Sequence, residues 1–233
     1  MERSAGGRIL PGVQVLRALA ALMVVVHHAE LGVLLGFGLV REPVLLVGSA
    51  GVDVFFVISG FIMLVSSRRL FGMPGASRTF LVRRLIRIVP LYWAVTSLYV
   101  AVFLLAPAAL GRAVSAGTMA ASYLFWPHVG LDGTVLPILV VGWTLNYEML
   151  FYVLFAATVT LPRRAAVLAV TLALAAIVGL AAAGLGARET PLAFWGDPIV
   201  LEFVAGIALG LAFERGWRLP LPVALLAVAA GVA

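Results

Sequence analysis

The stretch VQVLRALAALMVVVHHAELGVLL, residues 13–35, decides the fold. At 1.5 Å per residue it makes a helix about 35 Å long, enough to cross the roughly 30 Å hydrocarbon core of a bilayer. Most of its side chains are Ala, Leu, Val or Met, so it reads as a transmembrane helix. Two groups inside it, Arg17 and His28, are costly in lipid. Ionisable residues in that position pair with one another and mark a functional path. Eleven residues at 100° each bring His28 back to within about 20° of the Arg17 face, roughly 16 Å further along the axis. His27 falls about 80° off that face, which makes His28 the better partner.

Composition extends this reading to the whole chain. Of 233 residues, 64% are hydrophobic and 11% charged, whereas a soluble domain carries about a quarter charged residues. The chain is an integral membrane protein by this measure. Its net charge of +6 comes from 16 basic residues, all arginine. They form no long basic face, so basic cytoplasmic loops account for them and no nucleic-acid partner is expected. The absence of cysteine excludes disulfides, thiolate catalysis and cysteine metal sites, and no metal is expected. MERSAGGRILPG leads into the first apolar run without a small-residue cleavage site, as in a retained signal anchor.

Apolar runs predict spans at 13–35, 44–66, 88–110, 137–161, 165–185 and 198–214. A further run begins near Leu219 and reaches only to Ala233. The expected fold is all-α, a polytopic transmembrane helix bundle. It has about seven apolar segments and one short or re-entrant segment at 115–126, forming a single domain over 1–233 that lacks its last helices. Arg68, Arg69, Arg78, Arg83, Arg84 and Arg87 lie together with no acid between them. The positive-inside rule places that loop in the cytoplasm. The N-terminus with Arg3 and Arg8 is then cytoplasmic too, and the loop near Arg41 and Glu42 is outside. A re-entrant 115–126 keeps Arg163, Arg164, Arg215 and Arg218 inside as well.

Other polar groups interrupt the apolar runs. In GVDVFFVISGF, residues 51–61, Asp53 is expected near the outer end of the second helix at the depth of His28, where a carboxylate orients an imidazole. As an alternative, Asp53 caps that helix at the membrane boundary. Ser59 and Gly60 lie about two turns deeper, and Gly48, Gly51 and Gly60 permit close approach of helices or of a thin ligand. In FLVRRLIRIVPLYW, Arg84 and Arg87 share a face one turn apart, suited to lipid headgroups or to the phosphates of a nucleotide-bearing donor. In WTLNYEMLFY, residues 143–152, Glu148 is expected at mid-bilayer with Arg17 as its partner. Trp143, Thr144, Asn146 and Tyr147 crowd polar handles beside it. Glu202 is a further intramembrane acid with no assigned partner. Gly206-x-x-x-Gly210 and Gly32-x-x-x-Gly36 read as helix-packing faces.

Taken in order, the Arg17–His28 spacing, GVDVFFVISGF, RRLIRIVPLYW and WTLNYEMLFY resemble the membrane-bound acyltransferase 3 family, and Asn146-Tyr147-Glu148 resembles its exopolysaccharide-acetyltransferase branch. The match covers about residues 10–160, and LEFVAGIALGLAF, residues 201–213, resembles a later helix of that branch. The resemblance implies about ten spans in a bacterial cytoplasmic membrane. It also implies transfer of an acyl group, usually acetyl from acetyl-CoA, to a sugar hydroxyl of a surface polysaccharide or lipid-linked precursor. No cofactor is bound permanently; acyl-CoA is the donor substrate. By position, Arg17 and His28 match the family's first-helix pair, Arg84 and Arg87 its cytoplasmic RxxR, and Glu148 the first acid of its W-S-L-x-V-E-E-like motif. The second acid is Met149 here, which removes a two-carboxylate mechanism at that position.

On this reading Arg84 and Arg87 hold the CoA phosphates, and the pantetheine arm passes Arg17 and Ser59. His28 is the general base on the acceptor hydroxyl, with Asp53 or Glu148 orienting it, or forms a transient acyl-histidine. Two other readings fit the same intramembrane charges: a transporter or flippase with a charged relay, and a non-catalytic assembly subunit that binds other helices through its glycine faces.

Overall fold

The computed structural model describes residues 10–37, 48, 50–106, 114–185 and 191–217. Arg3, Arg8, Arg41, Glu42, Arg218 and the run from Leu219 lie outside these residues. All regular structure among the described residues is helical: α1 (Pro11–Gly36), α2 (Ala50–Ser66), α3 (Ala76–Leu105), α4 (Ala116–Tyr123), α5 (Trp143–Thr158), α6 (Arg163–Ala182), α7 (Pro191–Trp195) and α8 (Glu202–Glu214). Single 3-10 turns, Val140–Gly142 and Pro198–Leu201, lead into α5 and α8. Among the described residues, four stretches are long and apolar enough to cross a membrane: Pro11–Leu34, Ala76–Leu105, Val140–Thr158 and Arg163–Ala182. The all-helical, membrane-type architecture expected from the sequence is therefore present.

The chain forms two compact units. The first contains α1, α2 and α8. Pro11 opens α1, where its missing N–H costs nothing. α2 and α8 run parallel and touch backbone to backbone. A Cβ on Gly60 would lie 2.0 Å from the Phe203 carbonyl oxygen, and one on Gly206 would lie 2.0 Å from that of Val57. Gly210 meets Leu64 in the same seam. Phe56 packs on Phe203 and Phe61 on Phe213, with ring centroids 4.8 and 5.4 Å apart. Small residues let helices approach to this distance where lipid supplies no hydrophobic drive. α1 packs on the start of α2 through Gly48, against Met23 and His27, and Gly51, against Ala20 and Val24. A Cβ on Gly32 would meet nothing within 4 Å among the described residues.

The second unit contains α3 to α7. α3 and α5 are antiparallel: Ser77 Oγ donates to the Ala156 carbonyl, and Phe80 packs on Tyr152 and Phe155. The arginine segment is helical from Arg78 onward, not a loop, because α3 begins at Ala76, twelve residues before the expected span. Pro90 sits within this helix. The Gly72 N–H donates to the Val159 carbonyl and the Arg163 guanidinium lies 5.9 Å from the Phe71 ring centroid. The start of α3, the end of α5 and the start of α6 therefore share one end of the unit, which carries Arg68, Arg69, Arg78, Arg163 and Arg164.

α4 covers eight residues, about 12 Å, and cannot cross a bilayer. Ser115 caps it by accepting from the Thr118 N–H at 3.0 Å. Its far end is tied to α3: Trp93 Nε1 donates to the Tyr123 carbonyl, and Ser97 bonds the Tyr123 hydroxyl at 2.7 Å. α6 and α8 stop the same way. Gly184 (φ 72°) and Gly216 (φ 76°) take the left-handed conformation after the last turn. Their N–H groups and those of Leu185 and Trp217 close on Ala181, Phe213, Leu180 and Ala212, a paired-carbonyl helix stop.

Candidate functional site

Each unit carries its own set of chemistry-bearing residues. In the first unit, Arg17 is half-buried on α1 and His28 is exposed. His28 Nδ1 lies 2.8 Å from the Val24 carbonyl oxygen, one turn back. A carbonyl only accepts, so Nδ1 holds the proton and the neutral ring presents its lone pair at Nε2. His27, set aside by the face argument, is the histidine turned toward α2. It packs against Gly48, and its Nδ1 is buried without a hydrogen-bond partner.

The α1–α2 register revises the expected depth of Asp53. Gly51 lies level with Ala20 to Val24 in the antiparallel pair, so Asp53 falls near the level of Ala20. His28 is eight residues further along α1, about 12 Å by the helix rise, while Arg17 is three residues the other way, about 4.5 Å. Direct orientation of the imidazole by Asp53 does not fit this register. Asp53 instead lies in the first turn of α2, favourable for a carboxylate at the helix dipole, and its side chain lies within reach of that of Glu202. Glu202, unassigned from sequence, thus has its partner where α2 and α8 begin. Ser59 is half-buried on α2, two turns beyond Asp53.

In the second unit, Glu148 lies in the second turn of α5. Antiparallel pairing with α3 puts it near the level of Arg84. Tyr152, one turn on, donates its hydroxyl to Glu148 Oε1 at 2.5 Å. Arg84 is within electrostatic reach of both Tyr152 and Glu148, and of Arg87. Its guanidinium also lies 5.6 Å from the Phe80 ring centroid. Arg84 is half-buried and Arg87 exposed. Within its own unit, Glu148 has Arg84 in electrostatic reach; Arg17, the partner expected from the sequence, belongs to the first unit. Tyr152 was legible as the i+4 neighbour of Glu148, a spacing that places two side chains together on one helix face.

A third group lines a cleft beside α4 and α5. Thr118, Ser122, Trp126, His128 and Asn146 form its wall, with about 170 Å³ between atoms. Those gaps are divided too finely for a molecule to bind as the side chains stand. Ser122 Oγ accepts from the Ile138 N–H at 2.9 Å and donates to the Thr118 carbonyl at 2.7 Å. Asn146 is 2% exposed, with Oδ1 lacking a partner. Tyr147 donates to the Phe194 carbonyl at 2.7 Å and stacks on that ring, tying α5 to α7. Among the described residues no group of three His, Cys, Asp or Glu could hold a metal ion.

A family pattern described as an acyltransferase domain matches residues 10–233. The chain is 39% identical over 178 residues, 76% of its length, to the exopolysaccharide production protein ExoZ of Rhizobium meliloti (strain 1021). The aligned stretch covers 55% of ExoZ, so the chain spans about half the length of that relative. No solved structure matches.

Proposed function

The chain belongs to the membrane-bound acyltransferase 3 family, in its exopolysaccharide branch, and from that premise we propose that it is an O-acyltransferase. It moves an acyl group, acetyl in this reading, from acyl-CoA to a hydroxyl of an exopolysaccharide or of a lipid-linked sugar. The observation that carries the reading is the Nδ1 hydrogen bond of His28 to the Val24 carbonyl, which leaves Nε2 as the basic atom. Nε2 takes the proton of the acceptor hydroxyl as its oxygen attacks the thioester carbonyl carbon. The C–S bond then breaks, and the CoA thiolate leaves and recovers the proton from the imidazolium. Both nitrogens keep defined roles through the cycle. Arg84 and Arg87 hold the anionic end of the donor, and Arg17 supplies a second positive charge on the helix of the base. Asp53 and Ser59 are polar groups of the same unit, and Asp53 acts through Glu202 and not on the imidazole.

The test is acyl transfer in membranes given labelled acetyl-CoA, with and without candidate glycans. His28→Ala lowers the turnover by about 10²–10⁴-fold, the usual contribution of a positioned general base, while donor binding and the amount of folded protein stay unchanged. Unchanged turnover refutes the role, and flux of a substrate without acyl transfer favours a transporter.

The same reading places the protein in a bacterial cytoplasmic membrane as a multi-pass protein, with its N-terminus and the arginine end of the second unit facing the cytoplasm. The natural absence of cysteine makes this directly testable. A cysteine introduced as Arg69→Cys is labelled by an impermeant reagent only after the membrane is opened. Leu131→Cys, which is 71% exposed on the loop before α5, is labelled in intact cells. The reverse pattern overturns the orientation.

A further inference from the structure

Phe80, Arg84 and Arg87 recur at i, i+4 and i+7 along α3, so they share one helix face. Glu148 and Tyr152 share a face of α5 in the same way. The two faces meet: the Phe80 ring stands edge-on to the Tyr152 ring, with centroids 6.0 Å apart. Phe80 also carries the Arg84 guanidinium at 5.6 Å. Tyr152 is 2% exposed, so its hydroxyl is cut off from water, and it is spent on Glu148 Oε1. The phenol anchors one carboxylate oxygen of Glu148, and Glu148 lies within electrostatic reach of Arg84. Arg84 is thus confined by the Phe80 ring, with an anchored carboxylate within its reach. Arg87, exposed one turn away, has no such confinement from Phe80.

We propose that Tyr152 is a positioning residue for the donor site: through Glu148 it sets Arg84 in place before the anionic donor arrives. This rests on the reading of Arg84 and Arg87 as the cations that meet the donor phosphates. It assigns the pair unequal tasks. Arg84 is the preset cation that fixes where the phosphate sits, and Arg87 is the mobile cation that adds charge. It also gives Glu148 a task that needs only one acid, consistent with Met149 in the next position. A long side chain already held in its bound rotamer loses less freedom on binding, an effect worth about three- to tenfold in affinity.

The test compares wild type with Tyr152→Phe, which keeps the ring against Phe80 and removes only the hydroxyl, using acetyl-CoA as the probe. Calorimetry on the full chain in detergent gives binding, and the transfer assay gives KM and kcat separately. Tyr152→Phe raises the Kd and KM for acetyl-CoA about three- to tenfold and lowers kcat by less. Glu148→Gln, which keeps the size and removes the charge, moves the same quantities in the same direction. In an Arg84→Ala background the Tyr152→Phe change adds nothing further, because the residue it acts through is gone. A purely structural role predicts a loss of kcat and folded protein together with no selective change in KM, and independent multiplication of the two effects in the double variant; either result overturns the proposal. If wild type itself binds no acetyl-CoA, the donor reading falls and takes this proposal with it. If wild type binds and Tyr152→Phe binds equally well, this proposal alone falls.

Discussion

Each unit is held together internally by its own kind of contact. Between α2 and α8 the backbones themselves meet, because Gly60 and Gly206 leave no side chain between them. Between α3 and α5 the contact is made by rings, Phe80 with Tyr152 and Phe155. The difference concerns how packing and chemistry are linked. In the first unit His28 stands exposed on α1 and bonds only its own helix, so packing and base are separable. In the second, Phe80 both fills the core and carries Arg84, so a change in packing is felt by the charge.

The sharpest way to break this comparison is at the glycine seam. Gly206→Val drives carbon into the Val57 backbone, which cannot yield as a flexible side chain does. A loss on the order of 4 kcal/mol or more is expected, read as the disappearance of monodisperse protein after detergent extraction. A smaller effect separates two rings of the second unit. Phe155→Leu and Phe80→Leu each lower the thermal midpoint, by about 1–3 kcal/mol in stability terms. Only Phe80→Leu also raises the KM for acyl-CoA, because Phe155 carries no guanidinium. Equal KM changes in both variants would remove the claimed link between core and charge. The smallest effect is at Gly32, where a Cβ meets nothing within 4 Å. Gly32→Ala raises stability by up to about 1 kcal/mol through helix propensity, and a loss would show that this face of α1 is covered.

The helices were legible because apolar runs in a membrane protein are long and their polar interruptions few. The boundaries were less so. α3 begins at Ala76 because Arg78, Arg83, Arg84 and Arg87 are good helix formers whose charge removes them from a hydropathy reading but not from the helix. For 115–126 the sequence alone allows a short span or a re-entrant segment, and the helix found there covers only eight residues. For the site, spacing along one helix put Arg84 with Arg87, and the i, i+4 rule could have put Tyr152 with Glu148, a neighbour missing from the expected site. Pairing between helices was the harder step, since depth had to be guessed from span ends. The contact of Gly51 with Ala20 and Val24 sets the α1–α2 register and moves Asp53 away from His28. The Asp53–Glu202 contact needed the parallel register of α2 and α8. The glycines at 60, 206 and 210 encode that register, and reading them only as small residues loses it.

That parallel seam has a consequence for biogenesis. α2 ends at Ser66 and its partner starts at Glu202, so the ribosome must add the whole of α3 to α7 before the seam can close. At about 5–20 residues per second this takes on the order of 7–27 s. During that interval α2 waits in the membrane with a bare glycine groove facing whatever lies beside it, and a chain stalled before Glu202 never covers it.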